Sequence, residues 1–294
     1  MRGVYAPPMA TANSPAPPRG RSRRFRRVGL AAAGGVFVVI VVLAIEVYAG
    51  ASGIKLEERD AHLMDGLFDG PLGGPASGTN VAPVEILWLG DSTAAGVGTS
   101  DEEGGMARQV ARRLGRPVQV RNYSVSGARI ADVRDLQLPK VRADERRPDL
   151  VVISIGANDA THLTSTGSYL DAYQTVIASI PPGADLVILG VPDLGSTTRL
   201  AQPLRAISSV RGDQLGAVSR DLAYQHDLAY VNIGAQTGPA FRADPTRLLA
   251  SDGYHPSDAG YGVWTDAIVP VVQWQLARRE HPDQPAPPRP PQSS

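Results

Sequence analysis

Ser92 closes the tripeptide Gly90-Asp91-Ser92, directly after the apolar run Ile86–Leu89 and ahead of Gly96 and Gly98. A strand ending on small polar residues either caps a following helix or presents a hydroxyl for chemistry. The far end of the chain offers partners for that hydroxyl. Asp252 and His255 stand three residues apart in the stretch SDGYHPSDAGY. This spacing lets one short turn hold a carboxylate on the imidazole Nδ1–H and leave Nε2 facing a serine. A nucleophilic serine also needs donors for the oxyanion of a tetrahedral intermediate. The candidates are the backbone N–H of Ser92, the N–H of Gly127 and the side-chain amide of Asn158. At Gly127 the missing Cβ allows close backbone approach. The chemistry on offer is acyl transfer through serine. Asp91 reads as the residue that holds the turn under Ser92, and His162 as an exposed loop residue just past Asn158 and Asp159, with substrate contact the alternative. His62, His226 and His281 are scattered and form no H-x-x-E pattern, so no metal or cofactor is expected.

These residues need a scaffold that brings residue 92 to residue 255. Short apolar runs occur at Val84–Leu89, Val118–Asn122, Leu150–Ile155, Leu186–Gly190 and Leu228–Ile233. Helical stretches separate or follow them, near Glu102–Leu114, Ala131–Val141, Ser168–Ile180, Leu200–Gln225 and Ser257–Ala277. Alternating helices and continuously apolar strands predict an α/β fold, with a parallel five-stranded sheet covered on both faces. In such sheets, sites gather at the carboxyl ends of the strands. The first three runs end in Gly90-Asp91-Ser92, in Asn122 followed by YSVSGA with Gly127, and in SIGAND with Asn158 and Asp159. All three should therefore converge on one sheet edge. The stretch Leu200–Gln225 is amphipathic enough to serve as a lid, although core packing is the use expected of it.

The ends of the chain have a different character. Residues 1–27 are rich in Pro, Ala and Ser and finish on RSRRFRR, so a disordered basic segment is expected there. Val28–Ile45 then runs 18 residues without a charge. As a helix it would span about 27 Å, close to the ~30 Å hydrocarbon core of a bilayer. Residues 28–50 are accordingly expected to be a transmembrane helix. The arginines before it place the N-terminus in the cytoplasm and the remainder outside. Cleavage at the A-x-A-like Ala49–Ala51, giving a secreted protein, is the alternative. Residues 51–83 are expected to be a stalk, 84–278 the folded domain, and 279–294 a Pro-rich disordered tail.

Charge and composition exclude other classes. The chain has 29 basic and 29 acidic residues, but residues 1–50 carry a net +6, so the rest is acidic. No basic stripe suited to phosphate neutralisation is present, and no nucleic-acid partner is expected. Cysteine is absent, which removes disulfides and thiol nucleophiles.

Gly90-Asp91-Ser92, Gly127, Gly156-Ala157-Asn158-Asp159 and Asp252-Gly253-Tyr254-His255 resemble, in order, the four blocks of the SGNH (GDSL) hydrolase superfamily. The resemblance spans roughly residues 84–275. The wording around NYSVSG and GAND looks especially like the small bacterial esterase and thioesterase members. It implies a flavodoxin-like three-layer α/β/α sandwich and a metal-free serine esterase mechanism. It also implies Ser92 as nucleophile, Asp252 and His255 as its triad partners, and Ser92, Gly127 and Asn158 as oxyanion donors. Thr93 departs from the leucine of the motif name, which bears on substrate fit. The G-x-S-x-G elbow of ordinary α/β-hydrolases is absent. The expected function is therefore hydrolysis of a small-molecule or lipid carboxylic ester or thioester by a membrane-anchored serine enzyme. An envelope carbohydrate O-deacetylase or O-acyltransferase, and a non-catalytic envelope-binding module, are the alternatives.

Overall fold

The computed structural model describes Gly3, residues 56–68 and residues 82–281. The span expected at residues 28–50, the basic segment before it and the tail after residue 281 lie outside the described residues. Among the described residues, no helix is long and apolar enough to cross a membrane.

One six-stranded sheet organises the chain, in the order β1-β3-β2-β4-β5-β6. The strands are β1 (Gly66–Phe68), β2 (Val84–Gly90), β3 (Val118–Asn122), β4 (Leu150–Ser154), β5 (Asp185–Leu189) and β6 (Ala229–Val231). β2 to β6 pair in parallel, and β1 joins antiparallel on the outer edge of β3, with Gly66 opposite Val120. The parallel part follows the doubly wound flavodoxin-type order.

The five-stranded expectation is thus corrected to six strands, five of them parallel. The added strand comes from residues read as stalk. It is three residues long and buries only Phe68, too short a run to show a period-two pattern. The last apolar run is also shorter than expected. Asn232 leaves the sheet after Val231, and its side chain accepts from Ala235 N–H at 3.3 Å to start a helix at Ile233.

Side chains alternate across the central strands. On one face Ile86, Trp88, Val120, Val152 and Leu189 pack with α1 (Met106–Arg113) and the long C-terminal helix. On the other, Leu87, Leu89, Val151, Ile153 and Ile188 pack with the helices that follow β3, β4 and β5. Those helices are α2 (Ile130–Asp132), α3 (Leu138–Ala143), α4 (Ala157–Thr161), α5 (Thr166–Ala178) and α6 (Leu204–Gln225). The chain then forms α7 (Ile233–Ala243), α8 (Pro245–Leu248) and α9 (Asp258–Glu280). α6 buries Ser208, Gly212, Leu215, Ser219 and Leu222, so it is a core-packing helix. Between α2 and α3 the helix expected over Ala131–Val141 widens into a π-turn, Val133–Gln137.

Candidate active site

The carboxyl end of β2 is shaped by two close approaches. Gly90 has φ +147°, and a Cβ there would lie 2.0 Å from the Ser154 carbonyl oxygen, so only glycine lets β2 and β4 end this close together. Gln137, fully buried in the π-turn, grips the same residue from the other side. Its Oε1 accepts from Gly90 N–H at 2.9 Å and its Nε2 donates to the Gly90 carbonyl at 2.7 Å. Asp91 N–H then donates to Ser154 O at 3.1 Å. The Asp91 carboxylate accepts from Thr93 N–H at 2.9 Å and from the Thr93 hydroxyl at 2.7 Å. That hydroxyl also meets Ser154 Oγ at 3.0 Å. Thr93, at the motif's leucine position, is therefore occupied in bracing the turn. Burial pushes the Asp91 carboxyl up to about 6, against the pull of the two Thr93 donors.

Ser92 stands on this turn. Its Oγ lies 2.8 Å from His255 Nε2, and His255 Nδ1 lies 2.6 Å from Asp252 Oδ2. Residues 163 positions apart are joined because the loop before α9 folds back to the edge of the sheet. Within that loop Asp252 Oδ1 accepts from both Tyr254 N–H and His255 N–H at 3.0 Å. Gly253, at φ +64°, accepts at its carbonyl from Thr198 and Arg199 N–H. Ser257 caps α9 by accepting from Gly260 N–H. Asp252 is buried, and burial alone would raise its carboxyl. The bond and positive charge offered by His255, with the two backbone donors, hold it below the ordinary range instead. Arg199 Nη1 adds a further cation 3.6 Å from Asp252 Oδ2.

Gly127 and Asn158 border the same opening. Gly127 has φ +78°, and a Cβ there would meet nothing within 4 Å. Within the protein its requirement for glycine is the backbone conformation, and the side towards the cleft is open. Asn158 sits in the first turn of α4, and its Nδ2 donates one hydrogen to Ala128 O at 3.0 Å. That bond fixes the amide and leaves its second N–H for the cleft. Among the described residues, the backbone N–H groups of Ser92 and Gly127 donate to no protein acceptor. The cleft holds about 470 Å³ and is lined by Ser92, Gly127, Asn158 and His255, with Val97, Leu200, Leu204 and Tyr254 among its apolar walls.

The structure therefore brings together all five residues singled out from the sequence. Two neighbours add to them. His162 caps the end of α4, with Nδ1 2.8 Å from Asn158 O, and faces the cleft. Gln137 carried no sequence signal, because a glutamine inside a helical stretch looks like any solvated residue. The arrangement can pass a proton from a serine hydroxyl to an imidazole steadied by a carboxylate, beside donors free to bind an oxyanion.

Residues 88–263 match the family model of the GDSL-like lipase/acylhydrolases. The chain belongs to that family. A GDSL-like esterase of Mycobacterium tuberculosis is 30% identical over 201 residues, a match covering 67% of this chain and 64% of that protein. The chain thus aligns with just under two thirds of that relative's length. Among solved structures, a GDSL-like protein from Parabacteroides merdae superposes with a TM-score of 0.53 at 18% identity, covering 65% of this chain and 97% of the other. TesA superposes with a TM-score of 0.50 at 25% identity, over 64% and 97% of the two chains. Seen within the GDSL-like family, the matched segment holds Ser92, Gly127, Asn158, Asp252 and His255 and leaves β1 outside it.

Proposed function

We propose that this chain is a serine hydrolase of carboxylic esters or thioesters, working through an acyl-enzyme. Ser92 Oγ attacks the ester carbonyl carbon. His255 Nε2 takes the hydroxyl proton and returns it to the leaving alcohol or thiol. Asp252 keeps the imidazole in the tautomer that accepts at Nε2 and steadies the imidazolium. The N–H groups of Ser92 and Gly127 and the Asn158 amide receive the oxyanion. Water, activated by His255, then releases the acid. The observation that carries the reading is the continuous Ser92–His255–Asp252 chain of 2.8 and 2.6 Å contacts at an open, largely apolar cleft.

The test is hydrolysis of p-nitrophenyl esters from acetyl to palmitoyl by wild type and Ser92→Ala. Turnover that disappears in the variant is the expected result, and the chain-length optimum separates short acyl groups from lipids. A folded wild type that neither turns over an ester nor reacts with a fluorophosphonate would defeat the reading.

Residues 28–50, by the charge-free run Val28–Ile45 and the arginines before it, serve in this reading as a single membrane anchor, with the hydrolase domain outside the cell. Retention of the chain in the membrane pellet after alkaline extraction is expected. Release into the supernatant would favour the cleaved, secreted form.

A further inference from the structure

The cleft has a wall that the family match does not include. Leu56, Glu57 and Glu58 line it alongside Ser92, Asn158 and His255, whereas the matched region begins at residue 88. This segment is pinned to the loop that carries Ser92. Arg59 Nη2 donates to Thr99 O at 2.9 Å. Met64 is fully buried in a socket whose floor is two glycines of that loop. A Cβ on Gly96 would come within 2.6 Å of Met64 Cε, and one on Gly105 within 2.4 Å of its Sδ. Asp65 Oδ1 accepts from Asn122 N–H at 2.7 Å, and β1 zips onto β3 directly after it. Residues 59–68 are thus held in one place relative to the serine, and residues 56–58 lead directly into them along the cleft.

The charges on this wall are uneven. Glu57 and Glu58 are exposed and, among the described residues, form no ion pair or hydrogen bond. The nearby cation, Arg199, lies 3.6 Å from the buried Asp252 carboxylate, which offsets its charge. His162 has one ring nitrogen on the Asn158 carbonyl. Arg59 turns its guanidinium to the Thr99 carbonyl and is not part of the cleft lining, so at the mouth the two glutamates outweigh the cations. A cleft lined by one sign concentrates ligands of the other.

We propose that residues 56–58 are a specificity-determining wall of the Ser92 cleft and make it select esters carrying an amine or quaternary ammonium near the scissile bond over anionic ones. This rests on Ser92 being the nucleophile. A carboxylate about 7 Å from a ligand cation, in a solvent-like dielectric, favours it roughly threefold, so the pair should give about tenfold.

The experiment uses the full chain and three fluorophosphonates that differ only in a terminal trimethylammonium, tert-butyl or carboxylate group. Each reports the second-order rate of Ser92 labelling and needs no ester to be accepted as substrate. The expected order is cationic, neutral, anionic, with about tenfold between successive probes at low ionic strength and a narrower spread in salt. Glu57→Gln/Glu58→Gln should collapse the spread, and Glu57→Lys/Glu58→Lys should invert the order, which a merely structural role for the wall would not do. Equal rates with the three probes in wild type would overturn the proposal. So would an order that survives charge reversal, or a Gln/Gln variant that loses labelling by all probes. Absence of labelling by any probe in wild type would instead remove the serine mechanism, and this inference with it.

Discussion

At the scale of single residues, the site separates what a side chain does from what its surroundings make it do. Asp252, a catalytic candidate, and Asp91, next to Ser92, are both buried carboxylates, yet they are pushed in opposite directions. Asp252 has a cationic partner and two backbone donors, and stays ionised against the pull of burial. Asp91 is bonded by the neutral donors of Thr93 and feels His255 only at a distance, and burial prevails. The first suits a group that steadies an imidazolium, the second a group that ties a turn. Asn158 is the residue whose role is most open to measurement. One amide hydrogen is committed to Ala128 O, and the proposal gives the other to the oxyanion. Asn158→Ala should lower kcat ~10²–10³-fold with a much smaller change in KM, because that bond matters in the transition state. Steady-state kinetics on any ester the wild type accepts will check this. An unchanged kcat would take Asn158 out of the oxyanion hole.

At the scale of elements, the strand ends carry the proposed nucleophile and a helix interior holds one of them still. The π-turn Val133–Gln137 exists where Gln137 must reach inward to both polar groups of Gly90. Gln137→Met keeps the volume and removes both bonds. Gly90 O retains Val125 N–H at 3.1 Å, but Gly90 N–H is left buried without an acceptor. The loss should be about 1–3 kcal/mol in urea unfolding. Loosening of the Ser92 turn should also lower kcat roughly tenfold, the effect of about 1.4 kcal/mol on the barrier. A variant with wild-type stability and kcat would show that the glutamine is incidental. The same pair explains what could be read from the sequence and what could not. Gly90-Asp91-Ser92, Gly127, Asn158 and His255 each sit where an apolar run stops or a helix starts, so local pattern alone places them at one edge. Gln137 and Met64 matter only through partners 47 and 32 or more positions away, at Gly90 and at Gly96 and Gly105. No local period records such contacts. α7 escaped notice for a different reason: Gly234, Gly238 and Pro239 break its helical pattern, yet Gly234 and Gly238 are what let it approach Val191 and Asp193.

At the scale of the whole molecule, the site makes opposing demands on stability as pH changes. Asp252 has a folded-state pKa below its unfolded value, so its contribution is fully present above about pH 4 and is lost as pH falls through the folded value. Asp91 has the reverse sign. Its carboxyl moves from 3.8 to about 6 on folding, so the folded chain holds the proton more tightly. Stability must then fall as pH rises from about 4 to about 6, by up to about 3 kcal/mol at ~1.4 kcal/mol per unit. The two effects together place the most favourable pH for these groups near 4, between the window where Asp252 protonates and the window where Asp91 ionises. Asp91→Asn keeps an acceptor for both Thr93 donors and removes the charge. Urea midpoints measured at intervals between pH 4 and 7 should decline for wild type and stay flatter for the variant, which should be the more stable of the two at pH 7. Superimposable profiles would mean that Asp91 ionises without cost, and that the turn under Ser92 is wetter than its burial implies.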